Sequence, residues 1–253
     1  MRLLVSVANA DDAAAAMAGG ADVIDAKDPH AGALGAVSLP VFREIHARVA
    51  GVRPVSAALG DADDDADIER AARAFAEADA AFVKIGFAAD ASGDRIATLV
   101  TAAVRGAAGR CDVVAVAYAD APPPAGLAMF AGIAARAGAA GVLLDTADKS
   151  GPGLHRLISP DALASWVERA HDAGVFAALA GSLTAADLPF VRAMGADIAG
   201  VRGAACDGGR TGHVSAARVR QCGMAIASAA SIASSRSAAM VLTATPAGSA
   251  RVK

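Results

Sequence analysis

The sequence predicts an α/β fold, a single-domain (β/α)8 barrel of the TIM type, and three observations carry that expectation. Eight short apolar, β-rich runs alternate with alanine-rich segments of helical character. The runs are nearly continuous hydrophobic stretches, as a parallel sheet covered on both faces requires. The chain has 253 residues, close to the roughly 250 typical of such barrels. A doubly wound open sheet is the competing architecture. Its Gly-x-Gly-x-x-Gly signature is missing after the first strand, where the chain reads "SVANADDAA".

Each element follows in order. "LLVSVA" (3–8) is strand one rather than a signal peptide, because acids follow it at once. The next helix is expected to start at an Asp11 cap and to close at Gly19-Gly20. "VIDAK" (23–27) is strand two, and Ser38 caps the helix "LPVFREIHARV". After strand three, "PVSAALG" (54–60), the acidic run "DADDDAD" (61–67) reads as a capped, solvated helix start rather than a metal loop. "AFVKIGF" (81–87), "DVVAVAYAD" (112–120) and "GVLLDTA" (141–147) are strands four to six. Ser159 with Pro160 opens a helix that Gly174 closes. "FAALAGS" (176–182) is strand seven, Thr184 caps a helix ending at Gly195, and "IAGVRGAA" (198–205) is strand eight. The barrel is expected over residues 1–233. The small, polar residues 234–253 are expected to form a mobile C-terminal tail.

Composition narrows the function. The chain is 55% hydrophobic with a net charge of -3, a balance that argues against a nucleic-acid partner. No apolar run approaches the roughly 18 residues of a membrane span. Cys111, Cys206 and Cys222 are odd in number and lack metal-ligand spacing, as in a reducing cytoplasm. No cofactor and no metal are expected, and a homo-oligomer is left open. Lysine is the informative residue. There are four, Lys27, Lys84, Lys149 and Lys253, against nineteen arginines. Arginine supplies ordinary positive charge here, so a retained lysine suggests a need for an amine that can lose its proton.

In this fold the active site sits at the C-terminal ends of the strands. Those ends carry Asp25 and Lys27 on strand two, Asp61 just after strand three, Lys84 on strand four and Asp120 on strand five. Strand six brings Asp145, with Lys149 in the loop beyond it. Lys84 alternates with core residues and is expected to face the barrel interior, since facing the helices would be costly. "AGS" after strand seven and "RGAA" after strand eight occupy the positions of this fold's phosphate loops. Gly181, Ser182, Gly203 and Ala204 would offer backbone N–H groups to an anion, and Arg202 a charge. His30, His155 and Cys206 read as incidental. Lysines, carboxylates and a phosphate cradle suggest carbonyl chemistry, in which an amine forms an imine with a sugar phosphate. Lys27 is the imine candidate, and Asp25, on the same strand face, its orienter or proton carrier. Asp145 is expected to orient a lysine or a hydroxyl.

The blocks "LLVSVANADDAAAAMAGGADVIDAKDPHAGALGA", "FVKIG", "VAYAD", "LLDTADKSG", "ALAGSL" and "DIAGVRGAACDGGR" together resemble the (5-formylfuran-3-yl)methyl phosphate synthase family of methanofuran biosynthesis, over roughly residues 1–222. "DAKDPHAGALGA" and "GVRGAAC" are the most specific. The resemblance implies a lyase that joins two molecules of glyceraldehyde 3-phosphate with loss of one phosphate and two waters. It also implies that Lys27 is the Schiff-base lysine and Lys84 the general acid/base, with Asp25, Asp145 and Lys149 in the same active site. The Ala- and Arg-rich composition would suit a bacterial methylotroph, where a methanofuran-like cofactor serves formaldehyde oxidation. Two other readings stay open: a class I aldolase of sugar phosphates, which would not eliminate phosphate, and a non-catalytic sugar-phosphate-binding barrel.

Overall fold

A computed structural model describes residues 1–228. Eight parallel strands close into a barrel in chain order, each bonded to its neighbours and β8 returning to β1. They are β1 (Arg2–Val7), β2 (Val23–Ala26), β3 (Val55–Ala62), β4 (Phe82–Phe87), β5 (Asp112–Tyr118), β6 (Gly141–Asp145), β7 (Phe176–Leu179) and β8 (Ile198–Val201). The connecting helices are α1 (Ala10–Gly19), α2 (Leu39–Val49), α3 (Asp65–Ala76), α4 (Gly93–Ala107), α5 (Leu127–Arg136), the short α6 (Leu154–Leu157), α7 (Pro160–Asp172) and α8 (Leu188–Ala193). After β8 the chain makes a small hairpin, β9 (Cys206–Asp207) and β10 (His213–Val214), and then enters a last helix, α9, described over 216–228. The expected tail at 234–253 lies outside the described residues.

The expected caps hold at Ser38, Ser159 and Thr184, the last as a reciprocal capping box with Asp187. Asp64 caps α3, so the acidic run is a helix start. Asp11 is a correction. Asn9 caps α1 and accepts from the Asp12 N–H, while Asp11 already lies in the first turn. Asp12 turns inward to a different task, described below. Asp61 is also displaced from its expected place, since β3 runs on to Ala62.

The pleat explains how one strand builds both core and site. Side chains at alternate positions face the same side. Leu4, Val23, Phe82, Val114, Leu143, Ala178 and Ile198 pack together inside the barrel. Their neighbours Val5, Ile24, Val83, Ala115, Val142, Ala177 and Ala199 pack outward against the helices, with Phe42, Ile45, Ile96 and Leu163. Two residues beyond the inner core, toward the C-terminal ends, the same inward positions become Ser6, Asp25, Lys84 and Asp145. Lys27 lies one further inward position along. Among the described residues no helix is long and apolar enough to cross a membrane.

Candidate active site

A cavity of about 300 Å³ opens at the C-terminal ends of the strands and runs down into the barrel. Leu4, Phe82 and Ile198 reach it from the core, and Lys27, Lys84, Asp145 and Lys149 line it above. All three lysines expected at the mouth, and Asp145 with them, therefore meet around one space, while Asp25 is buried behind Lys84. Two carboxylates divide them.

Asp25 is fully buried. Ser6 on β1 and Ser56 on β3 are its register partners on the flanking strands. Ser6 Oγ donates to Asp25 Oδ2 at 2.8 Å, Ser56 Oγ to Oδ1 at 2.7 Å, and Lys84 Nζ to Oδ2 at 2.6 Å. So the carboxylate is held by three donors, as a buried charge must be. This revises one expectation: Asp25 is the ion-pair partner of Lys84, not of Lys27. The two serines were missed in the sequence. Their signal is a hydroxyl at inward parity inside an apolar run, as in "LLVSVA" and "PVSAALG".

Asp145 ends β6 and serves two amines. Lys149 Nζ donates to its Oδ1 at 2.5 Å, and Lys27 Nζ stands 3.9 Å from its Oδ2. The Thr146 N–H completes the set at 2.8 Å. Burial pushes the Asp145 carboxyl up, but Lys149 and Lys27 outweigh it and hold the pKa below the usual carboxylate value. Asp120, read as a strand-end acid, braces this loop by accepting from the N–H groups of Ala147 and Asp148.

Lys27 follows directly on β2, its N–H donating to Val7 O. Its side chain is nearly buried, and desolvation brings its pKa down to about 7. Asp145 opposes that shift, while the cations of Lys149 and Lys84 add to it. At neutral pH a large part of this amine is therefore unprotonated.

At the β7 end, Gly181 has φ of 101° and Ser182 φ of 50°. A side chain at Gly181 would press on Thr146. Ser182 holds a left-handed conformation that costs strain in a residue other than glycine, a pattern that clusters at ligand sites. Gly203 and Ala204 line the facing β8 end. Arg202 also lines the cavity, but its guanidinium is engaged within the protein. It pairs with Asp12 at 3.0 Å and donates to the carbonyls of Ser6, Arg210 and Gly212. Asp12 in turn accepts from the N–H groups of Ala8 and Val214. Arg202 is thus a tie between β1, α1 and the β9–β10 hairpin, which revises its expected place as an anion's charge partner.

Tyr118 and Asp61 form a further pair at the mouth, with Oη donating to Oδ1 at 2.6 Å. Gly86 makes room for it, since a Cβ there would overlap both side chains. His30 and His155 are exposed, and Cys206 is a buried thiol whose pKa burial raises.

The 4-HFC-P synthase family model matches residues 3–223. The chain belongs to this family. A protein of Streptomyces griseus is 41% identical over 217 residues, covering 83% of this chain and 87% of its own length. The (5-formylfuran-3-yl)methyl phosphate synthases of Methanopyrus kandleri and Methanosarcina barkeri are 39% and 36% identical, over 82% and 85% of this chain and 90% and 94% of theirs. Membership places the chain among enzymes of furan phosphate synthesis. Among solved structures, a 3-hexulose-6-phosphate synthase superposes with a TM-score of 0.63 at 24% identity, over 89% of this chain and all of that one. That likeness bears on the fold alone. One of the two blocks expected to be most specific, "DAKDPHAGALGA", carries both the buried Asp25 and the cavity-lining Lys27.

Proposed function

We propose that this family member joins two molecules of glyceraldehyde 3-phosphate into (5-formylfuran-3-yl)methyl phosphate through an imine at Lys27, for a methanofuran-type cofactor. The observation that carries the reading is the Lys27 amine, open to a cavity with its pKa near 7. A neutral amine is the nucleophile that carbonyl condensation needs.

The unprotonated Nζ attacks the carbonyl carbon of one triose phosphate, and water leaves. The resulting iminium withdraws electrons and acidifies the adjacent carbon. Lys84 in its neutral form takes that proton and returns it later, anchored by Asp25, which two serines fix in place. The enamine adds to the aldehyde of the second triose. Loss of one phosphate, ring closure and loss of two waters then give the aromatic furan, and the water released on forming the imine returns when the product leaves Lys27. Lys149 and Asp145 orient hydroxyls around the joined carbons. The amides at Gly181–Ser182 and Gly203–Ala204 hold a substrate phosphate. Every step runs on side chains of the barrel, with a carbon–oxygen lyase reaction as the outcome.

Incubation with glyceraldehyde 3-phosphate should produce a furan chromophore and one free phosphate per furan. Borohydride added during turnover should fix a triose-derived mass on the peptide carrying Lys27. A six-carbon product that keeps both phosphates would make the enzyme an aldolase and overturn the proposal.

A further inference from the structure

Two arginines stand at the β8 side of the cavity and are used differently. The Arg202 side chain is 8% exposed, its charge is matched by Asp12, and four of its five N–H groups have acceptors. Arg210, in the β9–β10 hairpin, lines the same cavity and is half-buried. It donates through Nη1 to Pro29 O and through Nη2 to Gly32 O, the latter at 2.6 Å. Both acceptors are neutral carbonyls. Among the described residues no carboxylate lies within ion-pair distance of it and three of its N–H groups have no acceptor; burial and the Arg202 charge lower its pKa against the more distant pull of Asp145 and Asp28. A partly desolvated cation with no carboxylate in direct contact favours an anion arriving from the cavity. The planar fork of a guanidinium suits a phosphate in particular.

Its place around the rim matters as much as its charge. The Gly181–Ser182 amides follow β7, whereas Pro29 and Gly32 follow β2. With β8 and β1 between them, the two positions are three strand spacings apart, about 14 Å along the sheet. One phosphate does not span from Gly181–Ser182 to those two carbonyls; the Gly203–Ala204 amides, beside the Arg210 backbone, lie between them. Lys27, at the end of β2, is on the Arg210 side. Arg202 Nε donates to Arg210 O at 2.8 Å, so the arginine paired with Asp12 positions the one that has no carboxylate partner.

We propose that Arg210 forms a second phosphate subsite, on the β2 side of the mouth, and that it takes the triose phosphate that adds to the imine. The assignment of that ligand rests on the imine reading above; the subsite itself rests on the geometry of Arg210. A reaction that consumes two phosphorylated trioses needs two places for phosphate, and the Gly181–Ser182 amides on the β7 side supply one.

Equilibrium dialysis of the full chain with inorganic phosphate tests the subsite without turnover. The wild type should bind two phosphates per chain, Arg210→Gln one, and Arg210→Lys two. Glutamine keeps a donor for a carbonyl but loses the charge, while lysine keeps the charge but loses the fork. Fewer than two phosphates on the wild type, two on Arg210→Gln, or a loss in Arg210→Lys equal to that in Arg210→Gln would each overturn the subsite. Kinetics tests the ligand. Arg210→Gln should raise the triose phosphate KM at least about tenfold, the scale of one charge-assisted contact. Borohydride capture at Lys27 should stay within about twofold of wild type. A matching fall in capture would mean that Arg210 only holds the 28–36 loop. Failure of capture in the wild type, with two phosphates still bound, would remove the imine reading and leave the subsite standing.

Discussion

The two carboxylates at the strand ends do opposite things with their lysines. Asp25 is fully buried, held by two serines and paired with Lys84 at 2.6 Å. Asp145 is shared between Lys149 at 2.5 Å and Lys27 at 3.9 Å, so its hold on Lys27 is loose. In the proposed chemistry the tight partner holds the Lys84 amine in place for proton transfer. A distant one lets burial prevail and frees the amine for attack. The difference shows that two lysines two strands apart can sit in unlike surroundings, and the proposed chemistry gives them unlike roles.

Breaking the loose side should have the largest effect. Lys27→Arg is expected to abolish both turnover and borohydride labelling, because a guanidinium stays protonated and forms no imine. Labelling that survives in this variant would move the nucleophile elsewhere. On the tight side, Lys84→Arg should abolish turnover yet leave Lys27 labelled, since capture needs only a neutral amine. Labelling on Lys84 in the wild type with Lys27 clean would reverse the comparison.

Arg202→Ala probes the frame that both sides share. It leaves the Asp12 carboxylate buried without its cation, which costs about 3–5 kcal/mol in comparable pairs. A lowered melting temperature is expected, along with poorer phosphate binding as Arg210 loses its support. An unchanged melting temperature with weaker substrate binding would return Arg202 to direct contact with the anion.

The smallest effect sharpens the contrast. The proposed attack needs unprotonated Lys27, so imine formation should rise with pH through about 7 and then level off. Lys149→Met removes a cation that lowers the Lys27 pKa and also releases Asp145 to pair with Lys27. Both changes favour the ammonium, so the midpoint should move to higher pH. A midpoint that stays put would show that Lys149 does not act on Lys27, and one that falls would reverse the sign of its effect.

Much of this was legible in the sequence, for identifiable reasons. Strand positions follow from apolar runs between helix caps, and a barrel converts strand ends into a site. Lys27, Lys84 and Asp145 are therefore found by locating where each run stops. Pairing is what stays hidden. Asp25 and Lys27 share a strand face and look like partners, but neighbouring strands bring Ser6, Ser56 and Lys84 closer to Asp25. Only the register, fixed across strands far apart in sequence, decides that. Arg202 and Arg210 show the same limit. Both sit in glycine-rich loops, and nothing in "GVRGAACDGGR" tells which one meets a carboxylate 190 residues away.

An amine poised near neutrality also sets the bookkeeping of protons. An iminium formed from the ammonium leaves the total charge unchanged, because water departs and nothing else is exchanged with solvent. Formed from the neutral amine, it draws one proton from the buffer. Loading the proposed active site with a triose phosphate should therefore switch from proton-silent to proton-consuming as pH rises through about 7. The heat of binding, measured in buffers of different ionisation enthalpy, would follow that switch.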